Sequence, residues 1–312
     1  MQAINDIGII INSTLMFATP LIFAAMGSLF SEHSGVVNIA IEGLMTIGAF
    51  VGVTVTLFTG NAWIGFIAAG LSGVLFAYAH VIATVYCHAD HTVSGIAINF
   101  LAPGMALFVC RLLFDGSAST PVVPLEEKLP RFFVDTFETG TFWNNVLTNY
   151  ASVYLSFLLV VATWFVLYKT PIGLRLRAVG EHPKGASTLG INVYGMKCFG
   201  VLMSGFLAGI GGASITLATV SAFRPTVITG QGFIAIAAVI LGKYKPGPTL
   251  LACLLFGFCN GLVAYMGNPR VGLNLSEQFL SMLPYLITLG LLVFIGKSSI
   301  PAASGQIYKK SS

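Results

Sequence analysis

The sequence predicts an all-α polytopic membrane protein, and three observations carry that expectation. Apolar residues make up 56% of the 312-residue chain and charged residues only 8%, against roughly 25% charged in a soluble domain. A chain so poor in charge cannot cover a surface that faces water, so its solvent is lipid. The apolar residues fall in long runs, each near the ~20 residues a helix needs to cross a bilayer, and mean hydropathy is +0.88. The 35 glycines suit membrane helices that pack closely through small residues. One transmembrane domain over 1–312 is expected, with no soluble domain.

The runs lie near 12–30, 36–58, 62–86, 94–113, 151–168, 198–220, 231–242, 249–266 and 278–296. They predict about 8–10 transmembrane helices. The 231–242 run is too short to span as a straight helix, so a broken or re-entrant element is expected there. Such backbone is tolerated at membrane depth only inside protein or along a cavity. Met1 to Ile11 carries Asp6 and no Lys or Arg, so no signal peptide is expected.

Charges orient the array. The 170–197 loop holds Arg175, Arg177, Lys184 and Lys197 against Glu181, and Lys169 precedes it. The positive-inside bias places it in the cytoplasm, with the inner turn at Lys243 and Lys245 and the tail with Lys297, Lys309 and Lys310. The 114–150 segment holds Asp115, Glu126, Glu127, Asp135 and Glu138 against Lys128 and Arg131, and reads as an external loop. Nine crossings then put the N-terminus outside and the C-terminus inside. The net charge of +4 is explained by basic inner loops and calls for no nucleic-acid partner.

Residues 174–191, LRLRAVGEHPKGASTLGI, form a polar, basic island between two apolar runs, read as a short surface helix. Pro183 suits a first helical position, where its missing N–H costs nothing. Gly190 suits the residue just past the end, where a left-handed backbone is wanted. A helix presented on the inner face of a membrane protein points to a docking partner.

Few other residues carry chemistry. Glu42 sits in an apolar run and should face protein or a water-filled cavity. Asn38, four residues earlier, is expected on the same helix face. Two readings stay open for this pair: a translocation pathway, or a hydrogen-bonded joint that locks two helices. With Asn99, Gln231 and Phe233 they form the candidate set for the path. Cys87, His88, Asp90 and His91 resemble metal ligands, but no second cluster completes a four-ligand site, so a polar inner turn is expected. His80, alone on an apolar helix, is expected to be hydrogen-bonded. The five cysteines show no paired spacing, which argues against a disulfide framework. Gly296-Lys297-Ser298 resembles the end of a phosphate loop, but Leu291 stands where the loop needs glycine and an apolar helix precedes it. No catalytic constellation is evident, so the chain is not expected to be an enzyme, and it needs no cofactor of its own.

Three segments together resemble a known family: SEHSGVVNIAIEGLMTIGAF (31–50), LRLRAVGEHPKGASTLGINVYGMK (174–197) and GQGFIAIAAVILGKYKPGPTLLACLLFGF (230–258). In that spacing the chain resembles the inner-membrane permease subunits of ABC importers of the branched-chain amino acid, sugar and nucleoside class. It is most similar to the nucleoside (simple sugar) permeases that work with a basic membrane lipoprotein. The resemblance implies a type II-like importer with two permease chains, the second usually a homologue. It further implies two ATP-binding subunits that hold ATP and Mg, and an extracytoplasmic binding lipoprotein that delivers nucleosides or simple sugars. It makes residues 181–190 the coupling helix, with Glu181, His182, Pro183, Lys184, Gly185, Ala186, Leu189 and Gly190 at the ATPase. The chain departs from the family at three places. Glu181-His182-Pro183 replaces Glu-Asn-Pro, Ser31-Glu32-His33 replaces Ser-Glu-Arg, and Gln231-Gly232-Phe233 replaces Arg-Gly-Phe.

The alternative is a stand-alone secondary transporter or channel. Ion coupling usually wants ionisable residues along the path, whereas Glu42 is nearly the only acid at depth in the sequence. That balance favours a permease driven by a partner.

Overall fold

The structure is a computed structural model that describes residues 2–134, 136–138, 141–267 and 300–309, with isolated helical positions at 282, 286 and 290. The 278–296 run, the phosphate-loop-like triplet, Asp135, Lys297 and Lys310 lie outside the described residues.

Eleven α-helices are described: α1 (Gln2–His33), α2 (Ile41–Thr59), α3 (Ala62–Val81), α4 (His91–Leu113), α5 (Phe142–Leu147), α6 (Ala151–Lys169), α7 (Pro171–Glu181), α8 (Pro183–Thr188), α9 (Val193–Ser214), α10 (Gln231–Leu241) and α11 (Pro246–Met266). Two of them continue as π-helical turns, α3 through Ile82–Tyr86 and α9 through Ile215–Val220. Among the described residues there is no strand, and seven helices are long and apolar enough to cross a membrane. They match seven of the nine expected runs. The eighth run is α10, 11 residues long, or about 16 Å at 1.5 Å per residue, too short to span alone as expected.

Helix α9 forms the centre and packs against α1, α2 and α3. The crossings are set by glycine pairs. A Cβ on Gly48 would lie 2.3 Å from Gly209 O, and one on Gly73 would lie 2.1 Å from Gly205 O. Backbones touch there directly, which is how membrane helices gain van der Waals contact without a hydrophobic drive.

Between α1 and α2 the chain is not helical, although the 36–58 run suggested one continuous element. Residues 34–40 pass through the bundle with their polar backbone satisfied by side chains, as lipid depth requires. Ser31 Oγ donates to Val36 O at 2.7 Å, and His80 Nε2 donates to Val37 O at 3.3 Å. Val37 N–H donates to His91 Nδ1 at 3.3 Å, and Asn99 Nδ2 to Ile39 O at 2.9 Å. His80 is thus hydrogen-bonded, as expected, and its Nδ1 meets Ser94 Oγ at 2.9 Å.

The two ends of the bundle differ. One end carries the 114–150 loop, strapped onto the end of α9 by Thr120 N–H to Phe223 O (3.2 Å), Val123 N–H to Ser221 O (2.7 Å) and Leu129 N–H to Leu217 O (3.3 Å). The other end gathers α7, α8, the Gly242–Lys245 turn and the 300–309 segment.

Candidate functional site

Two places concentrate the candidate residues: the α7–α8 end, and the joint where α2 and α10 begin.

At the first, Thr170 caps α7, its Oγ1 accepting from Gly173 N–H at 3.3 Å, and Pro171 takes the first helical position. Leu176 and Val179 are buried, and the Arg177 guanidinium lies over the Tyr168 ring, 4.8 Å from its centre. The chain then breaks at His182, so residues 174–191 are two helices, and Glu181 closes α7 instead of opening the docking helix. His182 serves as the N-cap of α8, its Nδ1 accepting from Gly185 N–H at 2.8 Å, in the place the family gives to Asn. Pro183 is the first residue of α8.

The end of α8 is a Schellman motif. Ile191 N–H donates to Ala186 O (3.1 Å) and Gly190 N–H to Ser187 O (3.0 Å). Gly190 has φ +78°, a left-handed conformation that an L side chain reaches only at a cost of about 1–2 kcal/mol. Ala186 is the buried residue of α8, Lys184 is exposed, and Leu189 is 82% exposed.

The 300–309 segment braces this element, a feature the sequence did not signal. Glu181 Oε2 accepts from Ala302 N–H (3.2 Å), Ala303 N–H donates to Gly180 O (2.9 Å) and Lys197 Nζ donates to Gln306 O (3.2 Å). Tyr308 closes a small apolar cluster with Val179, Ala186 and Val193. On the neighbouring turn, burial pushes the Tyr244 phenol up to about 12, with the Glu32 carboxylate adding to the effect. The turn therefore gains no negative charge across the physiological range.

At the second place, the Glu42 carboxylate spans two helix starts. Its Oε1 accepts from Gly230 N–H at 2.5 Å and its Oε2 from Gly232 N–H at 2.6 Å. Glu42 lies in the first turn of α2 and satisfies the otherwise orphaned N–H groups that open α10. A negative charge at two helix N-termini is favoured by both dipoles. This is the geometry of a hydrogen-bonded joint between the starts of α2 and α10.

Asn38 does not share a helix face with Glu42, because α2 starts after it. Its Oδ1 accepts from Ala40 N–H (3.1 Å) and its Nδ2 donates to Ser204 Oγ (3.0 Å). Asn99 Oδ1 accepts from Gly43 N–H at 2.8 Å. Both are ties that start α2. Gln231 Oε1 accepts from Thr229 N–H at 2.5 Å, and Gln231 lines a cleft with Asn260. Phe233 is 48% exposed on α10 and does not line that cleft.

The metal-like group disperses. Cys87 is exposed, Asp90 caps α4 through Val93 N–H (3.0 Å), and His91 is buried against Val37. Among the described residues no three His, Cys, Asp or Glu side chains gather as a metal site.

A bundle of helices long and apolar enough to cross a membrane, with a non-helical passage at its centre and a capped helix at one end, has the architecture of a multi-pass membrane protein. The chain belongs to the family described as "branched-chain amino acid transport system / permease component", whose model matches residues 10–295. It is similar to the guanosine ABC transporter permease protein NupQ of Bacillus subtilis (strain 168), 41% identical over 99% of each chain. It is also similar to the nucleoside ABC transporter permease protein NupC of Lactococcus lactis subsp. cremoris (strain MG1363), 38% identical over 100% of each. The putative glucose ABC transporter permease protein TsgC13 of Haloferax volcanii is 30% identical over 96% of this chain and 97% of that one. The chain is accordingly the permease subunit of an ABC transporter, a multi-pass inner-membrane protein and a transport component, not an enzyme. Membership implies an ATPase partner and a substrate-binding protein.

Proposed function

We propose that this chain forms one half of the membrane pathway of an ATP-driven nucleoside importer. The second half is a homologous permease chain. Nucleoside arrives from an extracytoplasmic binding lipoprotein, and the ATPase pair, which alone holds ATP and Mg, drives the cycle. The observation that carries this mechanism is α8. It is a helix capped at both ends that presents Leu189 at 82% exposure, a side chain that gains by leaving water.

In this reading α8 seats in the ATPase, with Glu181, His182, Pro183, Lys184, Gly185, Ala186, Leu189 and Gly190 as its contact and framing residues. Closure of the ATPase pair pushes α7 and α8, and the bundle switches between two packings that differ in affinity for substrate. The basic 170–197 loop and the C-terminal segment occupy the same end of the bundle, which supports a cytoplasmic position for both. The C-terminal end of α1 lies at that same end, with His33 Nε2 3.0 Å from Tyr244 O, which leaves the N-terminus outside in this reading. Nucleosides take precedence over sugars as substrates because the relation to NupQ and NupC is stronger than that to TsgC13.

The test is uptake of labelled nucleosides into vesicles carrying this chain with its partner permease, ATPase and binding protein. Saturable uptake that needs internal ATP and is blocked by unlabelled nucleoside, not by ribose, is the expected result. Uptake by this chain alone on an ion gradient would overturn the proposal.

A further inference from the structure

A cleft of about 310 Å³ lies between α1, the π turn after α9, the lead-in to α10, and α11. That volume is at the lower end of the ~300–1,000 Å³ range of small-molecule sites and suits one molecule of nucleoside or monosaccharide size. Its walls are mostly apolar, with Phe17 contributing an aromatic ring. Four polar side chains interrupt them: Thr219, Thr229, Gln231 and Asn260.

These four come from breaks in regular structure or stand without protein partners. Thr219 belongs to the π-helical turn, a feature that collects at functional sites. Thr229 and Gln231 flank the left-handed Gly230 (φ +87°) where α10 begins. Asn260 sits on the otherwise apolar α11, and its amide has no hydrogen-bond partner among the described residues. Neither do the Thr219 and Thr229 hydroxyls. Gln231 spends its Oε1 on Thr229 N–H and keeps its amide N–H groups available. Asn260 and Gln231 are half-buried and Thr219 and Thr229 exposed, so their polar groups stand open to a ligand in the cleft.

We propose that this cleft is the nucleoside contact site of the permease, with the Asn260 and Gln231 amides reading the base edge and the two threonine hydroxyls meeting the ribose. The inference rests on the function proposed above and adds the residues that recognise the substrate. A carboxamide presents a donor and an acceptor side by side, the pattern that pairs two adjacent groups on a base. The Phe17 ring offers a face for stacking. Ribose alone satisfies the hydroxyls and leaves both amides unpaired, and sites built for hydrogen bonds reject ligands that lack them.

The experiment is equilibrium dialysis of labelled guanosine, adenosine and ribose against the assembled permease–ATPase complex without binding protein. The wild-type complex is expected to bind both nucleosides and to bind ribose at least tenfold more weakly. Asn260→Leu should weaken nucleoside binding about 3- to 10-fold, the value of one hydrogen bond, and leave ribose unchanged. Thr219→Val should weaken both nucleoside and ribose. Stimulation of the ATPase by the binding protein reports that each variant is folded and assembled, and the variant that passes this control gives the reading. Equal binding of ribose and nucleosides to wild type, or nucleoside binding unaltered in the folded variant, would overturn the proposal. Absence of any binding to wild type would do the same. ATP-dependent nucleoside uptake by the wild-type complex with its binding protein then separates a wrong cleft from a wrong substrate.

Discussion

Removing the Glu42 carboxylate unties the start of α10 from the start of α2, and the geometry sets the size of the effect. The two carboxylate oxygens take two different N–H groups, at 2.5 and 2.6 Å. In Glu42→Leu both donors lose their partner at a partly buried site, so the cost of a fully buried donor is the upper bound. Each abandoned donor costs about 1–3 kcal/mol, so the variant should lose about 2–6 kcal/mol. Glu42→Gln keeps one acceptor but turns an N–H toward the second donor, so it should lose about 1–3 kcal/mol. The assay is thermal unfolding of the detergent-purified complex, followed by uptake. The expected order of midpoints is wild type, then Gln, then Leu, with uptake falling in the same order. Equal midpoints for wild type and Leu would refute the joint. Gln as damaging as Leu would show that the charge itself matters and not the pair of acceptors.

Other perturbations separate docking from folding. Leu189→Asp should leave the chain folded and abolish binding-protein-stimulated ATPase activity, since burying a leucine is worth about 1.5–3 kcal/mol, or roughly 10- to 100-fold in association; wild-type stimulation would count against docking through α8. Tyr308→Ala removes the side chain that covers Val179, Ala186 and Val193, so limited trypsin digestion should cut faster at Lys184 with the membrane core intact. Unchanged digestion would show that the C-terminal segment does not brace α8. Gly209→Ala puts a methyl 2.3 Å from Ala69 O, so α3 and α9 must separate, and size-exclusion chromatography should show aggregated protein. A normal elution profile would mean that the crossing has slack the geometry does not show.

The membrane helices were legible because hydropathy sums over ~20 residues and tolerates errors at single positions. The ends of α8 were legible too, since Pro183 and Gly190 act through local backbone rules. The break at His182 was not, because a histidine ring is an uncommon cap and its Nδ1 competes with continuation of the helix. Residues 36–40 read as the start of an apolar run because Val36, Val37 and Ile39 are apolar. Their extended path is decided by His80, His91 and Asn99, which lie 43 to 60 residues away in sequence. Glu42 could be singled out by the cost of burying a charge, but its partners lie 188 and 190 residues onward, and no spacing rule reaches that far. Asn38 and Asn99, named with it as candidates for the path, bond to Ser204, Ile39 and Gly43 around the start of α2. Asn260 escaped notice because one amide in an apolar run is usually a packing accommodation. The cleft that gives it meaning forms only when α1, α10 and α11 meet.

The glycine contacts at the centre of the bundle also bear on how the subunit can move. Where α2, α3 and α9 cross at Gly48–Gly209 and Gly73–Gly205, main chain lies on main chain, with no side chain between the two to change rotamer and absorb a slide. Such a seam has one comfortable register, so these three helices travel as a solid piece. Any stroke delivered through α8 must be taken up elsewhere, at the non-helical 34–40 passage and the π turn after α9. Both are places where the backbone already departs from the helical ladder, and a crosslink across either should freeze transport more effectively than one placed anywhere within the glycine-seamed block.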